Sequence, residues 1–186
     1  MSTPPEVLER RLVAQTRIFR VEQVDLAFSN GNRRCFERII GGRESVLVVP
    51  LLDARTLLLA REYATGTDRY ELGFPKGIVE SGEDPLEAAG REIREEIGFG
   101  ARDLRVIRKV SVAPGYIQHE THLVLARDLY REQAQGDEPE PIQVVSWDLD
   151  ELDALLERDD FTEARSIAAL FLINHYGLKV HSLGCD

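Results

Sequence analysis

The fold is decided by residues 77–99, which read GIVESGEDPLEAAGREIREEIGF. Asp84, Pro85 and Glu87 supply an acidic N-cap, a proline at the first helical position and a glutamate typical of a capping box. Gly98 supplies a C-terminal stop. The stretch therefore predicts a loop followed by a helix that begins after Asp84 and ends before Gly98.

The predicted helix has one apolar side and one acidic side. The apolar positions recur at spacings of three and four residues and are Leu86, Ala89, Ile93 and Ile97. A stripe of this kind packs against a core. On a different side, Glu92, Glu95 and Glu96 lie within one or two turns of one another, where like charges repel. A bound cation would replace this repulsion with attraction, and the alternative is an acidic face exposed to solvent.

The same stretch resembles the Nudix box, the pattern G-x5-E-x7-R-E-U-x-E-E-x-G-U in which U is apolar. Gly77, Glu83 and the run 91–99 meet every specified position of this pattern. The resemblance implies a Nudix hydrolase, which cleaves phosphoanhydride bonds with the help of divalent metal ions.

The resemblance also implies roles for individual residues. The metal ligands that it implies are Glu92, Glu95 and Glu96, with the backbone carbonyl of Lys76 as a further ligand. The supporting residues that it implies are Gly77, Glu83 and Arg91. In the family the arginine pairs with an acidic residue of the box and so holds the helix against the loop, as metal sites require. Hard oxygen ligands favour Mg2+ or Mn2+ as the cofactor.

Hydrolysis at phosphorus also needs a group that orients or deprotonates the attacking water. In related enzymes a carboxylate outside the box, on a later loop, has this role. The counterpart here is the acidic stretch 136–141, interrupted by prolines, in which Glu138 and Glu140 are the candidates. The alternative for this stretch is an ordinary charged loop.

Composition limits the partners. A chain of 186 residues with 43% hydrophobic content can bury one sizeable core. The net charge of −10, without a basic tract, argues against long nucleic acids and anionic membranes. The longest apolar stretch, residues 46–52, is too short to span a bilayer, and the N-terminus has no signal-like apolar segment. We therefore expect a cytoplasmic protein, and the small nucleotide substrate is what the resemblance implies.

Alternation of apolar and polar residues predicts the remaining elements. Residues 18–28 and 33–40 form a hairpin around Asn30-Gly31. The predicted second hairpin pairs residues 46–52 with residues 56–62. Further strands are predicted at 70–74, 104–112, 122–126 and 142–147. Helices are predicted at 151–156 and 163–176, the latter with a packing face of Ala164, Ile167, Ala168, Phe171 and Leu172.

These elements make an α/β fold with a mixed sheet. The resemblance implies the Nudix-type α/β/α sandwich, preceded by an N-terminal antiparallel β-hairpin. We divide the chain into an extension at residues 1–43 and a catalytic domain at residues 44–186. In the ADP-sugar branch of the family a similar extension takes part in a homodimer, so a homodimer is expected here.

Most of the chain, from LLLAREYATGTDRYELGFPKGIVESGE to FTEARSIAALFL, resembles the ADP-compounds hydrolase branch. The resemblance implies ADP-ribose, diadenosine triphosphate and NADH as substrates, with AMP as a product. Pro114, fifteen residues after Phe99, resembles a proline of ADP-ribose pyrophosphatases, and Tyr116 offers a ring for stacking on a base or ribose. Arg61 and Lys76 are candidates for phosphate contact.

Three alternatives remain open. Pro75-Lys76-Gly77 also resembles the dinucleoside polyphosphate hydrolases. The same metal site would serve a nucleoside triphosphate hydrolase. A protein of another class, a nucleotide-binding regulator without catalytic activity, would keep the fold but would not need every glutamate of the box.

Overall fold

The computed structural model describes residues 3–136 and 138–175. The strands are β1 (Glu6–Gln15), β2 (Arg20–Ala27), β3 (Arg33–Ile40), β4 (Ser45–Pro50), β5 (Thr56–Ala64), β6 (Arg69–Gly73), β7 (Lys76–Ile78), β8 (Phe99–Val110), β9 (Thr121–Arg131) and β10 (Gln143–Asp148). The helices are α1 (Pro85–Glu96), α2 (Leu152–Leu156) and α3 (Ala164–His175), with a 3-10 turn at Leu149–Glu151. Among the described helices, none has the length and apolar character that crossing a membrane requires.

The first compact unit comprises residues up to Glu44 together with residues 111–120. Its sheet has the order β1-β2-β3, with antiparallel pairing throughout. The predicted hairpin of β2 and β3 is confirmed, and Gly31 in its turn has a φ of 84°, which favours glycine. The sequence analysis did not predict β1, which makes the sheet three-stranded.

The second compact unit comprises residues 45–110 and the residues from Thr121 onward. It contains a sheet of order β7-β4-β9-β8 and a sheet of order β10-β5-β6. Strands β4 and β9 are parallel, whereas the other neighbours are antiparallel. The mixed sheet is therefore as predicted.

The predicted hairpin between residues 46–52 and 56–62 is wrong. A single bridge joins Leu51 to Leu57, and beyond it the two strands separate into different sheets. Strand β4 pairs with β7 and β9, while β5 pairs with β6 and β10. Strand β5 thus forms a hairpin with the adjacent β6, whereas β10 and the partners of β4 are distant in sequence.

Alternate residues of these strands enter two cores. On one side, Val46 and Val48 of β4 pack with Ile93 of α1. On the other side, Leu47 of β4 packs with Leu170 of α3. Because side chains alternate between the faces of a strand, each sheet carries a helical layer on either side. This arrangement confirms the predicted α/β/α sandwich.

The predicted packing face of α3 is partly wrong, since Ile167 and Leu172 pack against the core but do not form its centre. The buried residues of the helix are Ser166, Ala169, Leu170 and Ile173, whereas Phe171 is 59% exposed. Ser166 can be buried because its hydroxyl accepts from the backbone N–H of Phe74 and donates to Glu163. Tyr176, the last residue of the predicted helix, lies outside the described residues.

Candidate active site

The ends of α1 are fixed by the caps that the sequence predicts. The Asp84 side chain accepts from the backbone N–H of Leu86 at 2.8 Å, and the backbone N–H of Asp84 donates to Glu87 at 3.2 Å. These two hydrogen bonds form the predicted capping box. At the other end, Gly98 has a φ of 74°, which permits the chain to turn directly into β8.

Gln133 completes the C-terminal end of α1. Its side-chain amide donates to the backbone carbonyls of Arg94 and Glu95 at 3.3 and 3.2 Å. A Cβ atom at Gly98 would overlap the Gln133 side chain. The sequence analysis missed Gln133, because it lies far along the chain from the carbonyls that it caps and no local pattern marks it.

Gly77 lies against a carboxylate of the box. A Cβ atom added at this position would overlap the side-chain carboxylate of Glu92. Glycine is therefore the residue that lets the backbone of β7 approach the acidic side of α1 this closely.

Arg91 connects the loop before α1 to the acidic side of the helix. Its guanidinium donates to both oxygens of Glu83 at 3.0 and 3.1 Å, and to the backbone carbonyl of Ile78 at 2.9 Å. It also donates to Glu92 at 2.7 Å and to Glu95 at 3.2 Å. Arg91 thus gathers three carboxylates around one planar donor. These contacts raise the pKa of Arg91, with the hydrogen bond to Glu83 as the largest cause.

Glu96 is buried with little compensation for its charge. Its carboxylate is 5% exposed and accepts from the backbone N–H of Lys76 at 3.3 Å from each oxygen. Burial raises the pKa of Glu96 to about 9, although the charge of Lys76 lowers it. The ammonium group of Lys76 forms an ion pair with Glu62.

Glu92 shows the same tendency. It is 8% exposed, and burial raises its pKa even though Arg91 donates to it. Two carboxylates with raised pKa values therefore lie on one side of α1. Such a pair marks a place where a further positive charge would be stabilised.

The donor set fits a hard divalent cation. Glu92, Glu95 and Glu96 supply carboxylate oxygens, which Mg2+ and Mn2+ prefer. Among the residues that the structure describes, no three His, Cys, Asp or Glu side chains are arranged so as to hold a metal ion as they stand. Instead, the guanidinium of Arg91 bridges Glu92 and Glu95. Arg91 donates to one oxygen of each carboxylate, so the other oxygen of each can bind an ion.

The acidic loop, which we define as residues 138–141, lies beside the carboxylates of α1. A cavity of about 440 Å³ is lined by Glu95, Glu96, Gln133, Glu138 and Glu140, among others. Within the loop, Glu140 accepts a hydrogen bond of 2.7 Å from the hydroxyl of Tyr70. The structure thus brings both carboxylates predicted outside the box to the cavity that Glu95 and Glu96 line.

The two candidates for phosphate contact already have protein partners. Arg61 lies with its guanidinium 5.5 Å from the centre of the Tyr70 ring and with its Nε 3.8 Å from Asp160. That Nε is buried and has no hydrogen-bond partner among the described residues. Lys76 is paired with Glu62. Phosphate contact by either cation therefore requires an exchange of partners.

Pro114 and Tyr116 belong to the first unit. They line a cavity of about 850 Å³ within it, together with Phe36 and Arg38. The Tyr116 side chain is 59% exposed, while its backbone carbonyl accepts from the N–H of Ile39 at 2.8 Å. The ring is thus held by its backbone and is accessible from the cavity.

Comparison with known proteins assigns the chain to a family. The NUDIX domain model matches residues 42–170, and the model of the NudE-type Nudix hydrolase N-terminal domain matches residues 5–38. The chain belongs to the Nudix hydrolases, whose members generally use divalent metal ions.

Relatives narrow the class further. The chain is 50% identical to the ADP compounds hydrolase NudE of Escherichia coli (strain K12), over 92% of each chain. It is 27% identical to an ADP-ribose pyrophosphatase of Bacillus subtilis (strain 168), over 88% of this chain and 91% of the relative. A crystal structure of an ADP compounds hydrolase superposes with a TM-score of 0.89 at 49% identity and covers 95% of each chain. The resemblance seen in the sequence is therefore confirmed.

Proposed function

We propose that the protein hydrolyses the phosphoanhydride bond of small ADP-linked compounds and releases AMP. The expected substrates are ADP-ribose, diadenosine triphosphate and NADH. The observation that carries the proposal is the pair of buried carboxylates, Glu92 and Glu96, whose pKa values burial raises. The 50% identity to an ADP compounds hydrolase supports the choice of ADP-linked substrates.

Mg2+ or Mn2+ is the proposed cofactor. Glu92, Glu95, Glu96 and the backbone carbonyl of Lys76 would hold it. Such ions neutralise a diphosphate and lower the pKa of a bound water. Arg91 supports the site by holding Glu83, and hence the loop before α1, against the acidic side of the helix.

The acidic loop is proposed to orient the attacking water. Its carboxylates, Glu138 and Glu140, line a cavity with Glu95 and Glu96. A carboxylate there can accept a proton from water while a neighbouring group holds the substrate. Since general-base catalysis contributes roughly 100- to 10,000-fold, loss of the acting carboxylate should be severe.

Substrate recognition is proposed to involve the exposed ring of Tyr116 with Pro114, and the cations of Arg61 and Lys76. An aromatic face can stack on a base or ribose, and guanidinium and ammonium groups attract phosphate. The net charge of −10 supports a small substrate and argues against a long nucleic acid.

A homodimer is proposed through the extension at residues 1–43, which precedes the catalytic domain at residues 44–186. The first unit exposes large apolar side chains of its sheet and of the turn between β1 and β2, namely Val7, Leu8, Leu12, Val13, Phe19 and Phe36. A cluster of this kind on a soluble protein marks an interaction surface. We propose a cytoplasmic location, where nucleotide cofactors such as NADH are used.

Product analysis tests the proposal. Wild-type protein is incubated with Mg2+ or Mn2+ and with ADP-ribose, NADH, diadenosine triphosphate or a nucleoside triphosphate, and the products are separated by chromatography. AMP from the ADP-linked compounds is the expected result, with loss of activity in Glu96→Gln. Glu157→Gln, which makes the same change of charge at an exposed position, is the matched control.

The alternatives give different results. If a nucleoside triphosphate or a longer dinucleoside polyphosphate is hydrolysed faster than the ADP-linked compounds, that compound belongs to the preferred substrate class instead. Binding of ADP-ribose without turnover of any compound would favour a nucleotide-binding regulator and refute the proposed activity.

A further inference from the structure

Tyr70 connects the β10-β5-β6 sheet of the second unit to the acidic loop. It lies on β6, opposite Tyr63 of β5 in the strand register. Its hydroxyl donates to Glu140 at 2.7 Å. Its ring is fixed from two sides, because the Tyr63 ring meets it edge to face at 5.6 Å and the Arg61 guanidinium lies 5.5 Å from its centre. The Tyr70 ring thus contacts two neighbouring side chains, while 44% of the residue is exposed.

The acidic loop itself has little regular support. Residues 138–141 lie outside the strands, and all four are exposed. Pro139 and Pro141 have no backbone N–H to donate. A side-chain hydrogen bond from a rigid strand therefore has a large influence on where such a segment lies.

We propose that Tyr70 is a positioning residue, which holds the acidic loop at the cavity of Glu95 and Glu96 through its hydrogen bond to Glu140. The inference rests on the proposed function, since it assumes that the loop acts in turnover. The two candidate carboxylates then divide their tasks. Glu140 is the anchor of the loop, and Glu138 is the carboxylate that acts on water.

The electrostatics of Tyr70 agree with this division. The hydrogen bond to Glu140 is the largest cause that raises the pKa of the Tyr70 hydroxyl, followed by the negative charge of the same carboxylate. A raised pKa means that Tyr70 stays protonated and remains a donor at neutral pH.

Kinetics of three variants test the inference. Tyr70→Phe removes the donor and keeps the ring, so kcat is expected to fall roughly three- to tenfold with KM within about twofold. Glu140→Ala removes the acceptor and is expected to lose as much. Glu140→Gln keeps a side-chain oxygen that accepts from the hydroxyl, so it is expected to recover most of the loss seen in Glu140→Ala. A carboxylate acting as a base would show no such recovery.

Additivity and a matched control sharpen the test. The double variant Tyr70→Phe with Glu140→Ala is expected to lose no more than either single variant, because both remove one interaction. Tyr63→Phe is the control, since it deletes the hydroxyl of the neighbouring tyrosine, which lies 3.5 Å from Asp68 and not at the loop. Its kcat is expected to equal that of the wild type.

A measurement without turnover separates this inference from the proposed function. With 13C-labelled tyrosine, NMR titration of the Tyr70 ring is expected to show a lower pKa in Glu140→Ala than in the wild type. An unchanged pKa would overturn the contact. Equal losses in Glu140→Gln and Glu140→Ala, or wild-type kcat in Tyr70→Phe, would overturn the positioning role. If the wild type hydrolyses nothing, the proposed function fails, while the titration still decides whether Tyr70 holds Glu140.

Discussion

Glu96 at the end of α1 is buried and Glu163 just before α3 is partly buried, and in both places loss of contact with solvent acts to raise the pKa of the carboxyl group. For Glu163 the opposing contacts win, and its pKa lies below its ordinary value. Its carboxylate accepts from Arg165 at 2.6 Å, from the backbone N–H of Ser166 at 2.7 Å and from the Ser166 hydroxyl at 3.0 Å. Glu96 has two long hydrogen bonds from a single backbone N–H, and its pKa stays raised.

The difference is the one expected between a structural carboxylate and the functional carboxylate that we propose Glu96 to be. Donors supplied by the fold itself surround Glu163, so its charge is stable without any further group. Glu96 has a charge that the fold does not balance, and such a charge is kept where an ion or a substrate supplies the balance. Burial alone therefore does not identify a functional glutamate, whereas burial without sufficient donors does.

The largest effect should come from the same exchange in the two places. Glu96→Gln is expected to lower kcat by about 1,000-fold, equivalent to about 4 kcal/mol, because it removes the charge of a proposed metal ligand. Glu163→Gln is expected to stay within about threefold of the wild type per folded molecule, because it lies among structural donors. Steady-state kinetics at saturating Mg2+ checks both. Similar losses of kcat in the two variants would contradict the view that Glu96 and Glu163 have different roles.

Gly77→Ala should have the next largest effect. The added Cβ overlaps the Glu92 carboxylate, and a displacement of about 1 Å in a catalytic group costs about 100-fold. We expect the apparent affinity for Mg2+ to fall together with kcat, as measured by activity across a metal titration. Gly66→Ala is the control, since a Cβ there meets nothing within 4 Å. Wild-type activity in Gly77→Ala would show that Glu92 has more room than the structure gives it.

Glu163→Gln should make the folded protein less stable. Replacing its charge-assisted hydrogen bonds with neutral ones is expected to lower the free energy of unfolding by about 1–2 kcal/mol at pH 7. Because the folded-state pKa is lowered from its ordinary value of 4.5, this stabilisation is present above that value and is lost as the pH falls through the folded-state pKa. Urea denaturation at pH 7 and at acid pH measures the difference. A loss that persists unchanged in acid would exclude the charge as its cause.

An effect of opposite sign, a gain in stability, should come from Glu96→Gln in metal-free protein. Its folded-state pKa of about 9 lies above the ordinary 4.5, so its protonated form contributes stability below the ordinary value that is lost as the pH rises towards 9. The neutral glutamine avoids this loss. Metal-free Glu96→Gln is therefore expected to exceed the wild type in unfolding free energy at pH 8.

Added Mg2+ supplies the control for that measurement. It is expected to raise the melting temperature of the wild type and of Glu163→Gln, and to raise that of Glu96→Gln much less. A metal-free Glu96→Gln protein that is less stable than the wild type at pH 8 would contradict the view that the fold leaves this charge unbalanced.

Local signals determined what could be predicted from the sequence. The start of α1 follows from the Asp84 cap and Pro85, and its end follows from Gly98, because these residues act within one turn of the helix. The hairpin of β2 and β3 follows from Asn30-Gly31 in the same way. The proximity of Gly77, Glu83 and Arg91 to the glutamates of α1 could also be predicted, since one helix and the loop before it bring these residues together.

Contacts between distant segments explain the failures. The short interval between β4 and β5 resembles a hairpin, yet β4 pairs with β7 and β9, and β5 pairs with β10 and with the following β6. Pairing between distant segments leaves no local pattern. The α3 face was misassigned because Ser166 is polar and was not counted as buried, although Phe74 and Glu163 satisfy its hydroxyl. The cap that Gln133 forms and the contact of Tyr70 with Glu140 were missed because each joins residues that are far apart in the sequence.

The first unit is assembled from two stretches of chain, and this has a consequence for the order of events during synthesis. The backbone of Ile39 exchanges hydrogen bonds with Tyr116 and Gln118, which leave the ribosome only after the whole of α1 and β8 has been made. At about 5–20 residues per second, the N-terminal sheet waits several seconds for this support. A fragment that stops at residue 44 lacks it permanently, so the early sheet, with its exposed apolar side chains, is the segment most in need of protection from aggregation while the chain is still growing.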